Sequence, residues 1–211
     1  MTGSRRPWVV GVSGASGTPY AKAVLRGLLD AGLPVDVVVS RAARLTLLDE
    51  AGLALRDAHW RTDLAGWLER EPDGVAYHPA GDLAAGPASG SYPTRGMVVV
   101  PASTAAVAGI AIGLSKDLLQ RAADVTLKER RPLVVVPRET PYTRGTLQHL
   151  LALHEAGATV LPASPAFYAG AKDVQQLVDF VAAKVLDAIG VEHDLIRRWT
   201  GRLGSAREER E

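Results

Sequence analysis

Residues 9–21 read VVGVSGASGTPYA, an apolar run that meets glycines, serines and a threonine before a helical pattern begins. Glycines at such a turn allow a tight bend and close approach of a ligand. The free N–H groups at the start of the following helix, on its positive dipole end, suit an anion. Ser16 and Thr18 add hydroxyl donors, and Pro19 suits the first helical position. The glycine spacing is G-x-x-G-x-x-G, not the dinucleotide G-x-G-x-x-G, and the Walker lysine is absent. A NAD site would end its second strand with an acid, but this chain has Ser40 and Arg41 there. Arg41 would suit a 2′-phosphate, yet the glycine spacing favours a mononucleotide.

Three further polar turns follow Val-rich runs. VVVPAST places Ser103 and Thr104 where they either cap a helix or hydrogen-bond a flavin or its phosphate. VVVPRETP places Arg138, Glu139 and Thr140 at a strand end, as a satisfied surface pair or as working groups. LPASPAFYAG places Phe167 and Tyr168 in a loop, where the phenol either packs or reaches a phosphate. Four polar turns on one rim are less easily a coincidence than any one alone. Arg121 and Lys128 are seven apart and share a helical face. By spacing alone that face is better read as solvated, with Asp124 pairing to Lys128. Lys184 is unremarkable by itself.

Other chemistry is excluded by composition. The chain has no cysteine, so it has no disulfide, thiolate metal site or cysteine nucleophile. Its histidines show no metal-ligand spacing and it has no DDxxD-type acidic cluster, so no metal is expected. With 24 basic and 23 acidic residues the formal net charge is +1, which gives no reason to expect nucleic acid or an anionic membrane as partner. No apolar run approaches the roughly 20 residues of a membrane span. MTGSRRPW leads directly into a strand with no signal-peptide pattern, so a cytoplasmic location is expected.

The elements that would hold these turns alternate along the chain. Strands are expected at Trp8–Val12, Val35–Val39, more weakly Val75–His78, then within Gly96–Thr104, Arg131–Thr140 and Ala158–Leu161. Helices are expected at Pro19–Ala31, Ala42–Glu50, Leu114–Arg130, Gly145–Ala156 and Val174–Ile189, with Leu118, Leu119, Ala122 and Val125 as a buried stripe. Unalternated Val-rich strands between helices imply a parallel sheet covered on both faces, a Rossmann-like (flavodoxin-like) three-layer α/β/α doubly wound fold. Its ligand would sit at the carboxyl ends of the strands. A single domain over 1–204 is expected, with a charged, frayed tail at 205–211.

Taken together, GVSGASGTPYA, VVSRAARLTLLDE, ASGSY, MVVVPAST, LLQRAADVTLKERRPLVVVPRETP and GATVLPASPAFY resemble the flavin prenyltransferase (UbiX-like) family. The resemblance runs from about Val9 to Asp187. It implies an FMN-binding fold and transfer of a dimethylallyl group from dimethylallyl monophosphate to N5 and C6 of reduced FMN. The product, prenylated FMN, would serve UbiD-like decarboxylases. It also implies a homododecamer with sites where subunits meet. The family's FMN contacts fall on Gly14, Ala15, Ser16, Ser40, Ser103, Thr104 and Arg138, with backbone contacts at Ala105 and Ala106. Donor phosphate would be held by Tyr168 and Lys184, with Arg121 and Lys128 reaching in from an adjacent subunit. Glu139 would be the main acid/base residue, assisted by Glu50 and Ser16, and Trp199 would cover the site. The chain departs from the family pattern at Leu83 for a tryptophan, Ala102 for a cysteine and Lys184 for an arginine. A lysine at 184 keeps the charge but loses the bidentate fork. The alternatives are an FMN flavoprotein of the cysteine-decarboxylase-like fold and a non-catalytic flavin carrier. A decarboxylase would carry a histidine near the first helix and a PASANT-like turn, and carriage alone needs none of Arg121, Lys128, Glu139, Tyr168 or Lys184.

Overall fold

The computed structural model describes residues 6–167 and 171–198. Six parallel strands form one sheet in the order β3-β2-β1-β4-β5-β6. They are β1 (Trp8–Val12), β2 (Val35–Val39), β3 (Val75–Pro79), β4 (Gly96–Ala102), β5 (Leu133–Pro137) and β6 (Thr159–Val160). The order reverses between β1 and β4, the switch point at which such sheets bind ligands. Strands β1, β2, β4 and β5 are buried along their whole length. The Val-rich runs do not alternate because both faces are covered. Val10, Val12, Val98, Val100, Val134 and Val136 enter one core, while Val9, Met97, Val99, Leu133 and Val135 enter the other.

The first core is closed chiefly by α1 (Thr18–Asp30) and α7 (Val174–Ala188), and α2 (Arg41–Ala51) and α3 (Trp60–Leu68) add to it. The second is closed by α4 (Thr104–Ala111), α5 (Leu118–Lys128) and α6 (Arg144–Glu155). The expected stripe of Leu118, Leu119, Ala122 and Val125 is buried on α5.

The sequence reading differs from the structure in three places. The helix expected from Leu114 begins at Leu118, because the Asp117 side chain caps it by accepting the Gln120 N–H. Pro19 is the second helical residue of α1, since Thr18 is already helical. Helices α3 and α4 were not anticipated. The Ala- and Gly-rich stretch of α4 has almost no polar face to give an amphipathic period, so its one sequence signal was the Ser103 cap. No helix among the described residues is long and apolar enough to cross a membrane.

Candidate active site

Buried Ser13 sets the frame. Its hydroxyl donates to Pro101 O at 2.8 Å and accepts the Ser103 N–H at 2.7 Å, which locks the carboxyl end of β1 to that of β4. Ser103 then caps α4 by accepting the Ala106 N–H, and Ser40 caps α2 by accepting the Ala43 N–H. Gly14 lies against the start of α2, where a Cβ would come within 2.5 Å of Ala42 Cβ. Only glycine lets the turn and α2 approach this closely.

These elements enclose a cavity of about 510 Å3. Gly14, Ser40, Ser103, Ala105 and Ala106 line it, as do Ser13, Arg41, Leu45, Lys116, Asp117 and Gln120. Its size suits a cofactor-sized ligand. The donors around it, hydroxyls, backbone N–H groups and two cations, suit an anionic one. Motif reading missed Ser13, Lys116 and Gln120. Their signal is tertiary, because α5 enters the site through a turn whose geometry no local pattern encodes.

The helix start at α1 is not open to a phosphate. The Glu50 carboxylate, reaching from the end of α2, accepts the Gly17 N–H at 3.1 Å, the Thr18 N–H at 2.9 Å and the Thr18 hydroxyl at 2.8 Å. The anion expected from the glycine turn is therefore supplied by the protein itself. Partial burial works to raise the Glu50 pKa, but hydrogen bonds from the Ser16 and Thr18 hydroxyls and the Thr18 and Gly17 N–H groups hold it below its ordinary value. Glu50 is thus an ionised acceptor near neutrality.

Ser16 joins Glu50 to the turn after β5. Arg138 Nε donates to Ser16 O at 3.0 Å, and the Arg138 N–H donates to Ala102 O at 3.2 Å. Tyr20 lies near the same guanidinium, and burial raises its pKa while Arg138 opposes the rise. Glu139 is exposed beside Arg138, with Oε1 accepting its own Thr140 N–H at 2.9 Å. Ser16, Glu50 and Arg138 are therefore linked at the switch point, with Glu139 next to Arg138 in sequence.

The cations on α5 and α7 lie elsewhere. Arg121 donates to Ala88 O at 3.1 Å and to Asp124 at 2.8 Å, while Lys128 pairs with Glu129 at 2.5 Å. Asp124 thus takes Arg121 three residues earlier rather than the expected Lys128, because Arg121 also reaches the 86–92 loop. Lys184 is 3.8 Å from Asp187, which also accepts from Arg198 and sits 3.2 Å from His193. Burial works to raise the Asp187 pKa, but Arg198 and His193 hold it below its ordinary value. The described contacts connect none of Arg121, Lys128 and Lys184 to the Ser16–Glu50–Arg138 cluster. Tyr168, Trp199 and the 205–211 tail lie outside the described residues. Among the described residues no group of His, Asp and Glu side chains is placed to hold a metal.

A family model described as Flavoprotein matches residues 1–186. The flavin prenyltransferase UbiX of Streptomyces coelicolor is 68% identical, covering 95% of this chain and 98% of its own. A solved structure described as AnUbiX (PadA1) in complex with FMN and dimethylallyl pyrophosphate is 34% identical, with a TM-score of 0.83 over 94% of this chain and 100% of that one. A dodecameric FMN-dependent UbiX-like decarboxylase from Escherichia coli O157:H7 is 38% identical, with a TM-score of 0.82 over 92% of this chain and 100% of that one. A capped, glycine-tight cavity at the switch point agrees with these likenesses, and the chain belongs to the UbiX flavin prenyltransferase family of flavoproteins.

Proposed function

We propose that the chain transfers a dimethylallyl group from dimethylallyl monophosphate to N5 and C6 of reduced FMN, making the prenylated-FMN cofactor of UbiD-like decarboxylases. The observation that carries this reading is the joining of Ser16, Glu50 and Arg138 in one hydrogen-bonded cluster next to Glu139. Storage of a flavin needs no such set of ionised groups, and the 68% identical relative is a flavin prenyltransferase. The pocket fits FMN. Gly14, Ala15, Ser16, Ser40, Ser103, Thr104, Ala105, Ala106 and Arg138 would hold it, and the missing Cβ of Gly14 keeps the turn close to α2. When bound, reduced FMN supplies an electron-rich nitrogen and ring carbon as prenyl acceptors, so the protein itself needs no nucleophile.

The protein's own groups do the rest. Monophosphate leaves an allylic carbon readily only when its charge is neutralised. Lys184 and Tyr168, with Arg121 and Lys128 from an adjacent subunit, supply that neutralisation without a metal. Within one chain both sit by the 86–92 loop, and their action across a subunit boundary is carried over from the family resemblance. Bonding at N5 and C6 would release one proton from each, and Glu139 would relay protons to the departing phosphate oxygen and to the alkene carbon left as the second bond closes. Glu50, held ionised, orients Ser16 and adds negative charge beside the developing allylic cation. Trp199, outside the described residues, would cover the pocket by the family resemblance.

We assign the chain to a homododecamer. The E. coli relative is described as dodecameric, and Leu147 and Leu151 of α6 stand 54% and 57% exposed on its outer side, a stripe suited to a second subunit. Cysteine-free composition agrees with a reducing compartment, and we place the reaction in the cytoplasm. Substitution Glu139→Gln tests the assignment. FMN affinity should hold while prenyl transfer slows by about a hundredfold or more. An unchanged rate removes Glu139 from its central role.

A further inference from the structure

Glu50 fills the anion position at the start of α1, so the phosphate of FMN needs a different seat. The cavity of about 510 Å3 offers one on the α5 side of the sheet. Two cations line it from opposite elements, Arg41 at the first residue of α2 and Lys116 in the turn between α4 and α5. Both are exposed, and among the described residues neither side chain makes an ion pair or a hydrogen bond. Most other arginines and lysines of the fold are paired, for example Lys22 and Arg26 with Glu69 or Arg56 with Asp63.

The placement of Lys116 is enforced. The preceding Ser115 has φ 49°, a left-handed conformation that a residue with a Cβ adopts at a cost. The Lys116 N–H donates to Gln120 Oε1 at 3.3 Å. Gln120 itself is 2% exposed and lines the cavity. Its amide lies over Gly109, where a Cβ would come within 2.3 Å of Nε2. Among the described residues Nε2 finds no acceptor. This donor is not sealed from solvent, so it is free to donate to a ligand in the cavity. Asp117 also lines the cavity, but its Oδ1 is committed to the Gln120 N–H at 2.9 Å as the α5 cap. With Asp117 tied to the helix start, Arg41 and Lys116 leave the cavity with an excess of positive charge.

We propose that Lys116 and Arg41 grip the phosphate of FMN across this cavity, with Gln120 Nε2 donating to the same ligand, and that this pair separates FMN from riboflavin. The inference rests on the FMN reading above, and its test keeps the two apart. Flavin-stripped wild type, Lys116→Gln, Arg41→Gln and Lys116→Arg are titrated with FMN and with riboflavin by fluorescence quenching, at low and high salt. Each Gln variant should bind FMN about tenfold more weakly, the loss of one charge-assisted contact, and keep its riboflavin affinity. The salt dependence of FMN binding should flatten in both, while Lys116→Arg retains it. Equal weakening of both flavins, or an unchanged preference for FMN, overturns the inference and leaves the FMN reading standing. Wild type that binds neither flavin overturns both.

Discussion

Replacing Glu50 with glutamine tests the idea that the glycine turn is capped from within. The carboxylate takes three kinds of donor at the start of α1, the N–H groups of Gly17 and Thr18 and the Thr18 hydroxyl, at 2.8 to 3.1 Å. A glutamine keeps one acceptor oxygen for Thr18 and turns an amide nitrogen toward the Gly17 N–H, donor against donor. Charge-assisted bonds are about twice as strong as neutral ones, and a carboxylate at a helix start adds about 0.3–1 kcal/mol. Glu50 is exposed, so solvent screening reduces the sum, and about 1 kcal/mol is expected at neutral pH. For a chain of this size that lowers Tm by about 2–4 °C at fixed protomer concentration. The pH dependence is the sharper part. The folded-state pKa of Glu50 lies below its ordinary value of 4.5, so its contribution is present above 4.5 and lost as pH falls through the folded value. The Tm gap between wild type and Glu50→Gln should therefore narrow as pH is lowered from about 6 to about 3. Thermal melts followed by circular dichroism read this directly. A gap absent at neutral pH, or one that persists undiminished in acid, refutes the capping argument.

Other outcomes follow from the same geometry. Ser13→Ala leaves the Ser103 N–H without its buried partner and Pro101 O with only the Ser13 N–H, which should cost about 1–3 kcal/mol in urea unfolding. Gly14→Ala pushes a methyl to within 2.5 Å of Ala42 Cβ, so FMN affinity should fall by tenfold or more in a titration while far-UV circular dichroism stays native. Leu151→Arg puts a charge in the exposed α6 stripe, and light scattering should show subunits smaller than those of wild type.

The sheet was readable because its strands are continuous valine runs separated by helix-length segments, and burial on both faces explains the lack of alternation. Ser40, Ser103 and Arg138 were readable because each ends a strand or starts a helix within a local motif. Glu50 was named with Ser16 only through the family resemblance, and its grip on the α1 start was not foreseen. That contact joins residues 32 apart in sequence. For the same reason it was not foreseen that the N–H donors at the α1 start are met by a carboxylate from another helix. Lys116 and Gln120 were invisible because a left-handed Ser115 breaks what reads as one helix from Leu114. The Arg121–Asp124 pair displaced the expected Lys128–Asp124 pair because Ala88 O, a loop group, holds the guanidinium in reach of Asp124.

The central claim is that these side chains ionise an allylic phosphate toward a bound reduced flavin without a metal. Purified protein is incubated anaerobically with reduced FMN, dimethylallyl monophosphate and a chelator, and the released flavin is weighed by mass spectrometry, with a parallel arm given the diphosphate. A flavin heavier by one dimethylallyl unit is expected in the monophosphate arm, formed at the same rate with and without chelator. FMN recovered at its original mass from a flavin-saturated protein, or product that appears only when metal is restored, contradicts it.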